Sequence, residues 1–115
     1  MTKPLKKYCL ALDLKDDPQK INTYIKYHQQ VWPEINQSIK DSGIQKAEIC
    51  HTSNRSFMIL EVDKTFSFDR KAKLDACNPI AQEWESLMWE FQQSLPKSKP
   101  NEKWVLMDKI YDLNA

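Results

Sequence analysis

Apolar side chains recur along this chain with two periods, and the switches between them mark its elements. "KKYCLALDL" (6–14) is a short apolar run bounded by charge, which predicts a buried strand. Asp17 then offers an N-cap, and Pro18 suits the first helical position. From there Ile21, Tyr24, Ile25, Trp32, Ile35 and Ile39 fall at helical spacing, with His28 on the same stripe. Pro33 has no N–H and crowds the preceding turn, so a break is expected at 32–33, with Glu34 in the first turn of a new segment. Gly43, the only glycine, is expected to end that segment as a left-handed cap. "IQKAEICH" (44–51) and "SFMILEVD" (56–63) read as strands joined by the polar turn "TSNR", hence an antiparallel hairpin. "FSFDRKAKLDAC" (66–77) is moderately helical. Asn78 and Pro79 start another helix, striped by Ile80, Trp84, Leu87, Met88 and Phe91. "PKSKPNE" (96–102) is a loop, and "KWVLMDKIYDL" (103–113) reads as a last strand.

The order strand, helix, strand, strand, helix, strand is the split βαβ pattern of an α+β, ferredoxin-like fold. It predicts one domain, residues 1–115, with a four-stranded antiparallel sheet and its helices on one face. Nothing in the chain is left to cover the other face, yet the strands carry bulk on both. In the last strand Trp104, Leu106 and Ile110 alternate with Val105, Met107 and Tyr111. A second copy of the sheet is the economical cover, so a homodimer is expected.

Charge narrows the class of partner. Seventeen basic and 16 acidic residues among 115 leave a net charge of +1, without the electrostatic footprint of a nucleic-acid binder. The basic "KPLKK" near the start reads as a solvated tail. The three cysteines, Cys9, Cys50 and Cys77, have no metal-ligand spacing. Cys9 and Cys50 lie in apolar strand runs, where a thiol packs as a small hydrophobe. All three read as reduced, which together with the lack of a signal-peptide core or membrane-length apolar run predicts a cytoplasmic protein without membrane contact.

His28 is the first candidate for chemistry. By spacing alone it reads as a satisfied core or dimer-interface histidine rather than a working one. Tyr24 lies four residues before it and Trp32 four after, with a helix break beyond. Aromatic walls around one imidazole suit a sugar, whose C–H faces stack on rings while its hydroxyls need convergent polar groups. Glu61 sits in the apolar "MILEV" and would need a partner if buried; Glu48 and His51 read as solvated. Trp84 reads as a core anchor on its helix, with Glu85 and Trp89 beside it. The charged run "DRKAK" (69–73) suits a solvated helix face. Phosphate-cradling loops, nucleophile elbows and metal-ligand pairs at helical spacing are missing from the pattern.

Taken together, "YIKYHQQVWPEI", "NRSFMILEV", "QEWESLMW" and "KWVLMDKIYDL" resemble the L-rhamnose mutarotase family over most of the chain, from Tyr8 to about Leu113. The string Tyr-x3-His-x3-Trp-Pro-Glu is the specific part. The resemblance implies a cytoplasmic dimer of ferredoxin-like α+β subunits that interconverts the α and β anomers of a free deoxy sugar without a cofactor. It implies that His28 is the catalytic acid/base, that Tyr24 binds sugar and that Trp84 lines the pocket. Two positions depart: rhamnose-specific members carry a tyrosine at Ala47 and a second tryptophan at Glu85. A Glu beside the Trp and an opening like "LDLKDDP" look more like L-fucose mutarotases. A buried acceptor rejects ligands that leave it unpaired, so these changes bear on which hydroxyl pattern is favoured.

Mutarotation opens a hemiacetal and closes it on the other face of the aldehyde. The ring oxygen gains a proton and the anomeric hydroxyl loses one, work suited to a group titrating near neutrality. The expectation is that His28 protonates the ring oxygen and that Glu85, Glu61, Tyr24 or water takes the other proton, with Tyr24, Trp84 and Trp32 holding the sugar. Two other classes fit the same fold: a haem-binding or oxygenase protein with a helix histidine on iron, and a non-catalytic binding module.

Overall fold

The computed structural model describes residues 6–99 and 102–114. The start of the "KPLKK" tail and two residues of the 96–102 loop lie outside them. The chain opens with β1 (Lys6–Leu14) and α1 (Pro18–Gln29). The Asp17 carboxylate accepts from the Gln19 N–H at 2.9 Å, so two of the first orphan donors of α1 find a partner in one side chain together with Lys20. The stripe breaks at the expected place, and α2 (Pro33–Asp41) restarts with Pro33 in its first turn and Glu34 behind it. Gly43 then turns the chain at φ +100°. A β-carbon there would lie 2.6 Å from Thr65 Oγ1 and 2.9 Å from the Phe66 nitrogen, so both conformation and space demand glycine.

Strands β2 (Ile44–Thr52) and β3 (Arg55–Val62) form the hairpin, turning through Ser53 at φ 54°. Helix α3 (Phe68–Ala76) is capped by the Ser67 hydroxyl, and α4 (Pro79–Trp89) by Asn78, whose Oδ1 accepts from the Ile80 N–H at 3.0 Å. The short pieces β4 (Gln92–Gln93) and β5 (Val105–Leu106) close the chain.

The sheet is antiparallel, in the order β2-β3-β1, with β4 and β5 sharing the far side of β1. The α+β ferredoxin-like architecture is as expected, but the last strand is not one element. β4 pairs with Asp13–Leu14 and β5 with Leu10–Ala11. After the Met107 N–H donates to the Cys9 carbonyl at 2.8 Å, the rest of the expected strand runs unpaired. Ile110 is 95% exposed there and Tyr111 74%. The segment leaves β1 at this point although β1 extends back to Lys6, and an alternating pattern becomes a strand only where its ladder bonds form.

Register sorts the side chains into two faces. Ile49, Met58 and Leu10 share one row and Ala47, Leu60 and Tyr8 another, on the face that the helices cover. Leu10, Ile44, Leu60 and Val62 form one core cluster there, and Leu14, Tyr24 and Met88 a second beneath α1 and α4. Cys50, Phe57 and Ala11 share a row on the opposite face, as do Glu48, Ile59 and Cys9. Cys9 and Cys50 are therefore exposed in the subunit instead of packed, because alternation turns them away from the helices. At one end of this face the Arg55 guanidinium donates to both oxygens of the buried Asp13 carboxylate, at 2.7 and 3.2 Å.

Candidate active site

Between the helices and the covered face lies an open cavity of about 580 Å³, within the range of small-molecule sites. Its floor is Ala47, Ile49, Met58 and Leu60. Tyr24 and His28 of α1 and Trp84, Glu85 and Met88 of α4 form facing walls.

The backbone decides the protonation of His28. Its Nδ1 lies 2.9 Å from the Tyr24 carbonyl oxygen, one helical turn earlier. A carbonyl only accepts, so Nδ1 carries the proton and the neutral ring keeps its lone pair on Nε2. His28 lines the cavity, so Nε2 is the ring nitrogen left to accept from a ligand there. Burial holds the imidazole below its ordinary value, and the bond to Tyr24 opposes this with a smaller effect. His28 is thus a neutral base at physiological pH.

Tyr24 is buried, with its ring centroid 4.4 Å from that of His28. Its hydroxyl accepts from Gln92 Nε2 at 3.3 Å, which leaves its own hydrogen to donate elsewhere. Burial raises the phenol above its ordinary value, and the Gln92 bond lowers it by less, so it remains a proton donor. The Trp84 ring stands edge-on to His28 at 5.8 Å, so an imidazole acceptor, a phenol donor and an indole line the same cavity.

Glu85 reaches the rim, where Lys103 Nζ lies 3.8 Å from its carboxylate. Trp32 is not part of the lining; its ring stacks edge-on against Trp84 at 4.9 Å and fixes that indole from behind. Glu61 is separated from the cavity. It falls between the buried Leu60 and Val62, so alternation carries it to the bare face, opposite Lys7 and Lys46. It is only partly buried and is not among the residues that line the cavity. Gln92, Lys71, Asp75 and Lys103 line the cavity without having stood out in the sequence. Gln92 is brought to Tyr24 only by the pairing of β4 with β1, and a lone glutamine in "FQQSLP" carries no signal of that. Lys71 and Asp75 carried one: a Lys and an Asp four apart share a helix face. Among the described residues, no group of three or more His, Cys, Asp or Glu side chains could hold a metal ion, and no helix is long and apolar enough to cross a membrane.

Residues 7–113 match the family model described as L-rhamnose mutarotase. An L-fucose mutarotase of Xanthomonas campestris is 38% identical over 96% of this chain and 90% of its own. An L-rhamnose mutarotase of Listeria monocytogenes is 28% identical over 74% of this chain and 76% of its own. Among solved structures, an L-rhamnose mutarotase from Formosa agariphila superposes with a TM-score of 0.68 at 23% identity, over 94% of this chain and 98% of that one. A dimeric ferredoxin-like protein from an uncultured marine organism gives 0.54 at 11%, over 96% and 93%. At such identities both speak to the fold alone.

Proposed function

The chain belongs to the L-rhamnose mutarotase family and is a sugar mutarotase, an isomerase of deoxy-sugar anomers, and we propose that His28 is its catalytic base and L-fucose its preferred substrate. The carrying observation is the bond from His28 Nδ1 to the Tyr24 carbonyl, which leaves Nε2 as the accepting nitrogen of a ring that lines the cavity. His28 then works first as a base, the reverse of the order expected from the sequence. Nε2 takes the proton of the anomeric hydroxyl while the Tyr24 hydroxyl donates to the ring oxygen. The C1–O5 bond breaks and an aldehyde forms. Rotation about C1–C2 presents its other face, O5 adds back as its hydroxyl returns the proton to the Tyr24 phenolate, and the imidazolium returns its proton to the carbonyl oxygen. General acid–base help of this kind is worth about 10²–10⁴-fold. The Trp84 face packs against the sugar C–H groups.

Two features favour L-fucose over L-rhamnose. The relative named for L-fucose is the more similar of the two mutarotases compared over their lengths above. Ala47 and Glu85 also replace two aromatic side chains by open floor and a carboxylate at the rim. Anomer exchange measured by saturation-transfer NMR on both sugars tests this. Faster exchange of L-fucose at equal subsaturating concentration is expected; equal or faster exchange of L-rhamnose would reverse the assignment, and no acceleration of either would remove the activity.

The subunit acts as a homodimer in this reading, in the cytoplasm, where its three free cysteines stay reduced. A second copy would cover the bare face, whose centre holds Phe57, Ile59, Ala11 and Cys9, and shelter the exposed apolar side chains of the C-terminal segment. Sedimentation or light scattering reads the mass directly; a monomer at micromolar concentration would contradict it.

A further inference from the structure

The cavity has a second polar wall, on α3. Of the charged residues of that helix, Asp69, Arg70 and Lys73 are exposed, whereas Lys71 and Asp75 are partly buried and line the cavity with His28. Lys71 Nζ lies 2.6 Å from Asp75 Oδ2, with the side chains 28% and 15% exposed. As a helix-stabilising device the pair is badly arranged. Its cation lies toward the N-terminal end and its anion in the last turn, against the helix dipole, and the opposite order is the favourable one. Partial burial adds a desolvation cost to both charges. What the arrangement does offer is a carboxylate with Oδ1 unbonded among the described residues, beside an ammonium with further N–H groups to give.

Resting on the mutarotase reading, we infer that Lys71 and Asp75 bind two neighbouring ring hydroxyls of the sugar, away from the anomeric carbon, and so rank deoxy sugars by their hydroxyl configuration. Asp75 accepts from one hydroxyl and Lys71 donates to the next. L-fucose and L-rhamnose differ in configuration at C2 and C4, so any vicinal pair that includes one of these carbons is presented differently by the two. The chemistry at C1 is left to α1, and the pair affects binding without touching the proton transfers.

The test is an NMR titration of wild type, Asp75→Asn and Lys71→Met with L-fucose and with L-rhamnose, reading binding from protein shifts and exchange from the anomeric protons. Asp75→Asn keeps the shape of the side chain, and Lys71→Met keeps the helix former, so the second serves if the first does not fold. Loss of a hydrogen bond to a charged group is expected to raise the half-saturating concentration of the preferred sugar about tenfold or more, with exchange at saturation within about twofold of wild type. The ratio between the two sugars is expected to change as well. Unchanged half-saturation, or an equal change for both sugars, would overturn the inference. Because binding is read apart from turnover, a wild type that binds without exchanging anomers sinks only the mutarotase reading. A wild type that binds neither sugar sinks both.

Discussion

The two faces of this sheet are built from the same strands and read alternate residues of them, yet they do different things. On the covered face Leu10, Leu12 and Leu14 are buried within the single subunit, and the space left between sheet and helices is the cavity. On the bare face Phe57 and Ile59 are only partly buried, and Cys9 and Cys50 are exposed. The covered face therefore stabilises the subunit and holds the proposed site, while the bare face carries the apolar surface on which the proposed homodimer rests. Glu61 shows how sharp the division is: one step from Leu60, it has left the site altogether.

Substitutions on the two faces can break this contrast, beginning with the largest effect. Leu12→Asp buries a charge at a fully enclosed position, which costs several kcal/mol and is expected to abolish folding in circular dichroism. Ile59→Asp on the other face is expected to leave a folded subunit whose mass by light scattering is that of a monomer. Equal damage from both would erase the distinction. Leu12→Ala is a finer version, expected to cost about 2–5 kcal/mol in denaturant unfolding, whereas Cys9→Ala is expected to change the stability of a dissociated subunit by less than about 0.5 kcal/mol.

Gly43→Ala tests the corner that delivers β2 to the cavity floor. A left-handed φ and a crowded β-carbon together are expected to lower stability by about 1–3 kcal/mol, seen as a fall in melting temperature with little change in exchange rate per folded molecule. The acid response is smaller. The folded state holds His28 below its unfolded value, so stability from this group is present above the unfolded value, about pH 6.5, and is lost as pH falls through the folded one. The exchange rate is expected to follow the same direction, with its acid limb below about pH 6.5, because only the neutral ring is a base. A limb above that value would mean that His28 is held protonated instead. Smallest of all, Glu61→Gln is expected to leave exchange unchanged.

How far the sequence could be read depended on the range of the interaction. Asp17-Pro18, Asn78-Pro79, Trp32-Pro33 and Gly43 act within a few residues of themselves, and each marks its helix end where the chain places it. Helical spacing put Tyr24 and His28 on one stripe, but only the family resemblance marked them and Trp84 as pocket residues; all three line the cavity. Gln92 was not, since its bond to Tyr24 spans 68 positions and rests on a two-residue strand. Lys71 was read as one of a solvated run because charge composition does not say which side of α3 faces inward. The final strand was over-read for a related reason: alternation from Trp104 to Tyr111 describes a segment able to pair, and it does not say how far along β1 the pairing runs.

The central claim is that His28 Nε2 performs the proton transfer. Saturation-transfer NMR of wild type and His28→Ala at saturating sugar tests it most directly. The account expects the variant to bind sugar and to lose about 10²–10⁴-fold in the exchange rate. A folded His28→Ala protein that exchanges anomers at the wild-type rate would contradict it.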